Sequence, residues 1–386
     1  MQVSIRTAAN CKEFRPASGR MRRLLALLAA GLVIAVSAFQ PSQARDESLP
    51  SIVIDRESGA ILSQNRAFDR WYPASLAKLM TVYVALRAKA AGEIADGSPV
   101  TISQYAASQP PSSLGVRAGG QLRLDAALAI LVVKSANDIA VAVAESVAGT
   151  VPAFVKRMNA EAERLGLTQT RFANPNGLHS TEQYTSARDM ALLARQLFRE
   201  FPRDAHMFSV PAIRVGETVH HSYNLLLERF AGADGMKTGF VCASGYNIVA
   251  SAARSDRQLI AVVAGAWSQG DRAISAARLL LDGFAAGKMG PPVEAAVPAK
   301  PPAPARSLRA TMCSEKARKE RYDPGPGDAV LQSPHLEARR ITREPLEISL
   351  GGIDAPAADA AVAAKLQPRS RVPIPTRRPA RPSDPA

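Results

Sequence analysis

Cysteine is scarce in this chain. Its 386 residues hold Cys11, Cys242 and Cys313 and no others, too few for a framework of disulfide staples, so core packing must supply the stability. Cys11 falls in the N-terminal leader. A bridge between the other two would tie a predicted core strand to a loose tail, and Cys242 reads more simply as a small core residue. Histidine is also sparse, at five, and the adjacent pair His220-His221 matches no zinc-ligand pattern, so neither a metal site nor a cofactor is expected. Long apolar runs are missing too. A membrane span needs about 20 apolar residues, and the uncharged stretch Leu24 to Phe39 is short of that. With Arg20, Arg22 and Arg23 before it and Ser42-Gln43-Ala44 after it, the stretch reads as a secretory signal over residues 1–44. An uncleaved anchor is the lesser alternative, and Met21 is an alternative start. The expected product is exported and periplasmic, with membrane association as an option, and its mature chain begins near Arg45.

Basic charge is plentiful but badly distributed for binding nucleic acid. The net charge is +14, from 48 Lys and Arg against 34 Asp and Glu. Residues 1–44 and 288–386 carry most of the excess, and 45–287 hold 25 basic residues against 22 acidic ones. The middle of the chain shows no basic stripe with interleaved aromatics, which argues against a nucleic-acid partner. The basic tail offers at most weak attraction to anionic lipid or wall polymer.

Along the chain, Ser51-Ile52-Val53-Ile54 and Ala60-Ile61-Leu62 flank a turn at Arg56 to Gly59 and predict a hairpin. A helix follows, opened by Ser75 behind Pro73 and stopped near Gly92. Residues 101–120 read as loop. Helical patterns cover Leu124 to Val133, Ile139 to Val147, Phe154 to Leu165 and Ser186 to Phe198. Strand signals return over 235–240, 246–253 and 258–266, and Ala273 to Phe284 reads as a closing helix. Strands at both ends with helices between them predict an α+β domain over 45–290. Its antiparallel sheet would be drawn from the N- and C-terminal parts, with a mostly helical subdomain inserted. From 291 to 386 the Pro/Ala/Arg-rich composition predicts a largely disordered tail, with a short ordered piece around Leu336 to Leu350 as an option.

Three short motifs carry chemistry. In Ser75-Leu76-Ala77-Lys78, the only S-x-x-K of the chain, a hydroxyl and an amine three residues apart share one helix face. They also sit at the helix N-terminus, where backbone N–H groups favour developing negative charge. Ser135-Ala136-Asn137 lies at a junction between two helical runs. The S-x-N pattern recurs at Ser63 and Ser222, and Ser135 is preferred for its junction and its place between the other two motifs. Lys237-Thr238-Gly239, the only K-T-G, lies on a predicted strand. Singly, these residues read as a cap, a turn former and a solvated strand position. In this order and these contexts they form a catalytic set.

The set resembles that of the serine-type D-Ala-D-Ala carboxypeptidases, low-molecular-mass penicillin-binding proteins of peptidase family S11. The resemblance runs from Ile52 to Gly287 and includes Tyr72 to Thr81, Lys134 to Asp138, Asn174-Pro175-Asn176-Gly177-Leu178, Ser186 to Met190 and Asp234 to Phe240. Val241 stands where the family usually has threonine, and the β-rich second domain and amphipathic anchor of some relatives have no convincing counterpart. The resemblance implies a β-lactamase/transpeptidase-like fold and hydrolysis of the terminal D-Ala from peptidoglycan stem peptides through an acyl-enzyme that β-lactams can trap. It further implies Ser75 as nucleophile, Lys78 as its base and Ser135 as proton relay. Asn137, Lys237, Thr238, Gly239 and Phe240 would bind substrate, with the oxyanion between the N–H groups of Ser75 and Phe240. Lys78 must then be neutral, its pKa brought from ~10.4 toward ~7–8 by burial and the charge of Lys237. Arg257 is a possible aid to carboxylate binding. The rival readings are a DD-endopeptidase of the same family, a class A β-lactamase, for which only Glu182 stands in the right interval, and a non-catalytic wall-binding protein.

Overall fold

The apolar run at the start of the domain is buried on both faces, as strand β1 (Ser51–Asp55). In the computed structural model, residues 49–287, 290–321, 331–338 and 342–350 are described. The expected signal segment, Cys11 and the last 36 residues lie outside them. Strand β1 turns at Gly59, whose φ of +77° suits glycine, into β2 (Ile61–Asn65), the hairpin its sequence predicts. A 3-10 turn (Ala74–Leu76) then opens helix α1 (Ala77–Ala90). Its residues are buried almost all round rather than along one stripe, which makes α1 the central helix of the domain.

The stretch read as loop holds β3 (Pro99–Thr101), a short helix α2 (Gln104–Ala107) and β4 (Gln121–Arg123), with β3 and β4 paired antiparallel. Helices α3 (Leu124–Val133), α4 (Asn137–Ala148), α5 (Val151–Arg164) and α6 (Ala187–Glu200) follow, close to their predicted bounds. The Ser186 hydroxyl accepts from the backbone N–H of Asp189 and caps α6. A second hairpin, β5 (Ala212–Val215) and β6 (Thr218–His221), has strands too short for alternation to reveal. After helix α7 (Leu226–Arg229) come β7 (Ala233–Val241), β8 (Gly245–Arg254), β9 (Arg257–Ala266) and the closing helix α8 (Gln269–Ala285).

The main sheet has the order β2-β1-β9-β8-β7, with every pair antiparallel. It is drawn from both ends of the domain with a helical block inserted, so the α+β expectation is borne out. Alternate residues face opposite sides. Ile52, Ile54, Val249, Ile260 and Val262 join the core that contains α1 and α6. Val53, Ile248, Ala250, Leu259 and Val263 pack with Ala273, Ala277 and Leu280 of α8. Strand β7, the K-T-G strand, is left at one edge.

Two expectations are corrected beyond this sheet. Residues 290–321 are not loose. Gly290 N–H donates to Ile61 O (2.8 Å), Val293 N–H to Gly59 O (2.8 Å) and Leu308 N–H to Ala243 O (2.9 Å). Buried Arg188 donates to the carbonyls of Val293 (3.0 Å) and Glu294 (3.1 Å). A Pro/Ala/Arg composition lacks the periodicity of an element, but its backbone groups still find partners on the domain surface. The segment ends in two short helices, α9 (Arg309–Met312) and α10 (Glu315–Glu320). Further on, β10 (Leu346–Ile348) pairs parallel with β5. Cys242 is not a free core residue, because it forms a disulfide with Cys313 (Cα–Cα 5.5 Å). Among the described residues, no single helix is long and apolar enough to cross a membrane.

Candidate active site

The three motifs, separated by up to 164 residues, meet where the edge of the sheet abuts the start of α1. Ser75 sits in the 3-10 turn, and the residue before it, Ala74, has a φ of +49°. That left-handed backbone is costly for a non-glycine residue and is concentrated at functional turns. Tertiary contacts hold it there. Asn247 of β8 donates from Nδ2 to the carbonyls of Tyr72 (2.9 Å) and Pro73 (3.2 Å). A Cβ on Gly239 would lie 2.9 Å from the Ser75 nitrogen and 3.1 Å from the Pro73 oxygen. The glycine of K-T-G is thus what lets β7 approach the S-x-x-K turn. Gly177, at a φ of +84°, packs against the Ala74 carbonyl in the same way from the Asn174–Leu178 loop.

Lys78 lies on the first turn of α1 and is almost wholly buried. Its Nζ donates to Ser75 Oγ (3.0 Å), to Asn137 Oδ1 (2.8 Å) and to the Asn176 carbonyl. The pair expected from the i, i+3 spacing is therefore present. Burial brings the Lys78 pKa down to about 7, against an opposing pull from Asp138. Of the two expected causes, burial is the one that lowers it, and the charge of Lys237 is not among the causes. Asn137 donates from Nδ2 to Pro110 O (2.9 Å). Ser135 is buried at a φ of +62°, on the sharp corner between α3 and α4. Asp138, next in sequence, accepts from the backbone N–H groups of Leu114 (3.0 Å) and Gly115 (2.9 Å), which ties the 110–115 loop to this corner.

Lys237 and Thr238 are buried on β7, and Lys237 Nζ donates to the Thr238 carbonyl (2.8 Å). Burial first, and then the positive charges of Lys78 and Arg272, push the Lys237 pKa well down. Arg272 is a residue that sequence reasoning missed. It lies on α8, it is 3% exposed, and it donates to the Tyr223 carbonyl (2.7 Å). Its only sequence signal is an arginine among the apolar positions of the closing helix. Asn247, in the apolar run of β8, was missed for the same reason. Arg257 serves elsewhere, donating to the carbonyls of Phe284 (2.9 Å) and Ala286 (3.1 Å) at the C-terminal end of α8. Glu182 is exposed and faces Arg171 at 3.8 Å. It is a solvated ion pair rather than a base held against the serine.

The 3-10 turn that carries Ser75, the lysine in contact with it and the K-T-G strand beside them bring the three sequence motifs together at one place. The model of the D-alanyl-D-alanine carboxypeptidase family, S11, matches residues 37–268, and the chain belongs to that family. It is 37% identical over 239 residues to D-alanyl-D-alanine carboxypeptidase DacA of Haemophilus influenzae, covering 61% of each chain. It thus spans about three-fifths of that relative's length. The solved structure of penicillin-binding protein 5 from Haemophilus influenzae superposes with a TM-score of 0.60 at 36% identity, over 64% of this chain and 72% of that one. Penicillin-binding protein D2 of Listeria monocytogenes, solved with cefotaxime bound, gives 0.56 at 26% identity over 64% of this chain and the whole of its own.

Proposed function

We propose that this chain is an exported serine-type D-alanyl-D-alanine carboxypeptidase acting on peptidoglycan stem peptides. The observation that carries the reading is the contact of Lys78 Nζ with Ser75 Oγ at 3.0 Å, in a setting that lowers the lysine pKa to about 7. A neutral amine at that distance is a general base for the hydroxyl.

In the first step Ser75 Oγ attacks the carbonyl carbon of the penultimate D-alanine while its proton passes to Lys78. The resulting oxyanion is received by the backbone N–H groups of Ser75 and Phe240. On collapse the C–N bond breaks, and the proton returns through Ser135 to the departing amine of the terminal D-alanine. Water, deprotonated by Lys78, then attacks the acyl ester and regenerates the Ser75 hydroxyl. Lys237 and Thr238 receive the terminal carboxylate, whose negative charge raises the pKa of Lys237 and keeps its ammonium charged while substrate is bound. Asn137 holds Lys78, and Gly239 keeps the strand close to the nucleophile. A β-lactam offers an acyl carbonyl and a carboxylate at similar separation and stops at the ester. The route to the periplasm would be the 1–44 segment.

The test is incubation of the purified mature protein with labelled penicillin and, separately, with a peptide ending in D-Ala-D-Ala. One adduct per chain and release of free D-alanine are expected. A protein that forms no adduct and releases no amino acid would refute the reading. Cleavage of cross-linked dimers without action on the free pentapeptide would replace it with the endopeptidase.

Arg272 belongs to the same anion site in this reading. Losing one charged contact to a carboxylate costs ~1.5–3 kcal/mol, so Arg272→Gln is expected to lower kcat/KM roughly 10- to 100-fold, mainly through KM. A substrate amidated at its terminal carboxylate should lose that sensitivity, which steady-state kinetics on the paired peptides would detect.

A further inference from the structure

The end of β7 is held by a segment that no motif points to. Phe240 and Val241 pair only with Tyr246 and Gly245 across the tight Cys242–Ser244 turn. Among the described residues β7 is an edge strand, with no ladder on its outer side to hold it. A hairpin end of this kind frays easily unless tertiary contacts secure it. Here those contacts converge on the turn. Trp71 Nε1 donates to Ser244 O (2.9 Å) from one side. From the other side come Leu308 N–H to Ala243 O (2.9 Å) and the Cys242–Cys313 disulfide. Arg321 lies over the rings of Phe240 (5.5 Å), Tyr246 (5.2 Å) and Trp267 (6.0 Å), and its Nη1 donates to Met312 O (2.7 Å). Phe240 and Tyr246, with ring centroids 4.2 Å apart, pack in one apolar cluster with Leu308, Met312 and Cys313.

We infer that residues 306–321 are a positioning element of the active site: the disulfide-stapled strap and the Arg321 guanidinium hold the Phe240 end of β7 where its backbone N–H meets the oxyanion. The inference rests on the carboxypeptidase reading above, in which Phe240 supplies that donor. The physical reason is that oxyanion stabilisation depends on donors fixed before the reaction, so a donor on a frayed strand end is a weaker one. Lys237 and Thr238 lie further inside β7 and against the body of the sheet, so carboxylate recognition is left largely to them. An exported protein meets the oxidising conditions that keep such a staple closed.

The experiment uses the full mature chain as wild type, as the Cys242→Ser/Cys313→Ser double variant, as Arg321→Ala and as Arg321→Lys. Stopped-flow acylation by labelled penicillin is separated into a dissociation constant and an acylation rate constant, beside a melting curve for each protein. Arg321→Ala and the double cysteine variant are expected to acylate about tenfold more slowly, short of the ~100-fold or more expected when an oxyanion donor is lost outright. Their dissociation constants should move by about twofold at most. Arg321→Lys, which keeps a cation over the rings, should recover most of the rate. If Arg321→Ala, folded by its melting curve, acylated at the wild-type rate, or if its loss lay in the dissociation constant, the strap would be scaffolding and the inference would fail. A wild type that took up no penicillin would instead bring down the carboxypeptidase reading on which the inference rests.

Discussion

Ser75→Ala is expected to form no covalent adduct with penicillin and to release D-alanine at a rate lower by a factor on the order of 10⁶, the size of loss seen when a serine hydrolase loses its nucleophile. The loss should fall on chemistry alone. Ser75 is half-buried in the 3-10 turn, and its hydroxyl accepts one bond from Lys78, which keeps its bonds to Asn137 and Asn176 when that hydroxyl is gone. One lost hydrogen bond changes stability by about 1 kcal/mol, so the variant should melt within a few degrees of the wild type. Non-covalent binding should survive, because Lys237 and Thr238 are untouched. Intact-mass spectrometry after incubation with penicillin is the check. A stoichiometric adduct that persists in the alanine variant would place the nucleophile elsewhere.

The second large effect belongs to Lys78. In the proposed mechanism its neutral form is the base, and burial lowers its pKa to about 7. The acylation rate of the free enzyme should therefore fall about tenfold per pH unit below pH 7 and level off above it. Lys78→Met removes the base and should abolish acylation over the whole range.

The same burial has a consequence for stability, and its sign is the reverse of an ordinary salt bridge. Between pH 7 and 10.5, the folded and unfolded pKa values, the unfolded chain holds a proton at this position that the folded chain does not. Wild-type stability therefore rises with pH through that window, by up to about 1.4 kcal/mol per pH unit from this one group. The methionine variant lacks the group. Measured against the wild type, it should look most stable below pH 7 and lose that relative advantage as the pH approaches 10. Calorimetry of both proteins at pH 6, 8 and 9.5 provides the test. A stability difference that stayed flat across those values would mean that Lys78 is solvated and charged, and the proposed mechanism would lose its base.

A buried lysine without a carboxylate salt-bridge partner is an expensive residue to fold. Its neighbours make it tolerable by supplying acceptors in place of water: Asn137 Oδ1, the Asn176 carbonyl and Ser75 Oγ. The Asn174–Leu178 loop is thus structural support for Lys78. Arg188 has a comparable supporting role. It pairs with Asp189 at 3.0 Å and reaches the carbonyls of Val293 and Glu294, so a conspicuous block of the resemblance anchors the start of the C-terminal segment instead of touching the site.

The sequence by itself determined the parts governed by local rules. Helical and strand periodicity located the long elements, and the strands at both ends located the sheet. The i, i+3 spacing of Ser75 and Lys78 put hydroxyl and amine on one face before any tertiary contact was known. The unique Lys237-Thr238-Gly239 marked the third motif, because its chemistry is carried by adjacent residues. Only the tertiary structure decided which distant groups close around that pair. Asn247, Arg272 and Arg321 meet the site from β8, α8 and the strap, and nothing in their immediate sequence announces it. The same holds for Cys242 and Cys313, and for a Pro/Ala/Arg segment whose backbone is ordered by partners 65 to 234 residues earlier. The physical reason is one of range. Periodicity, capping and turn chemistry act within a few residues, whereas desolvation, a disulfide and a cation over aromatic rings depend on which surfaces the completed fold brings together.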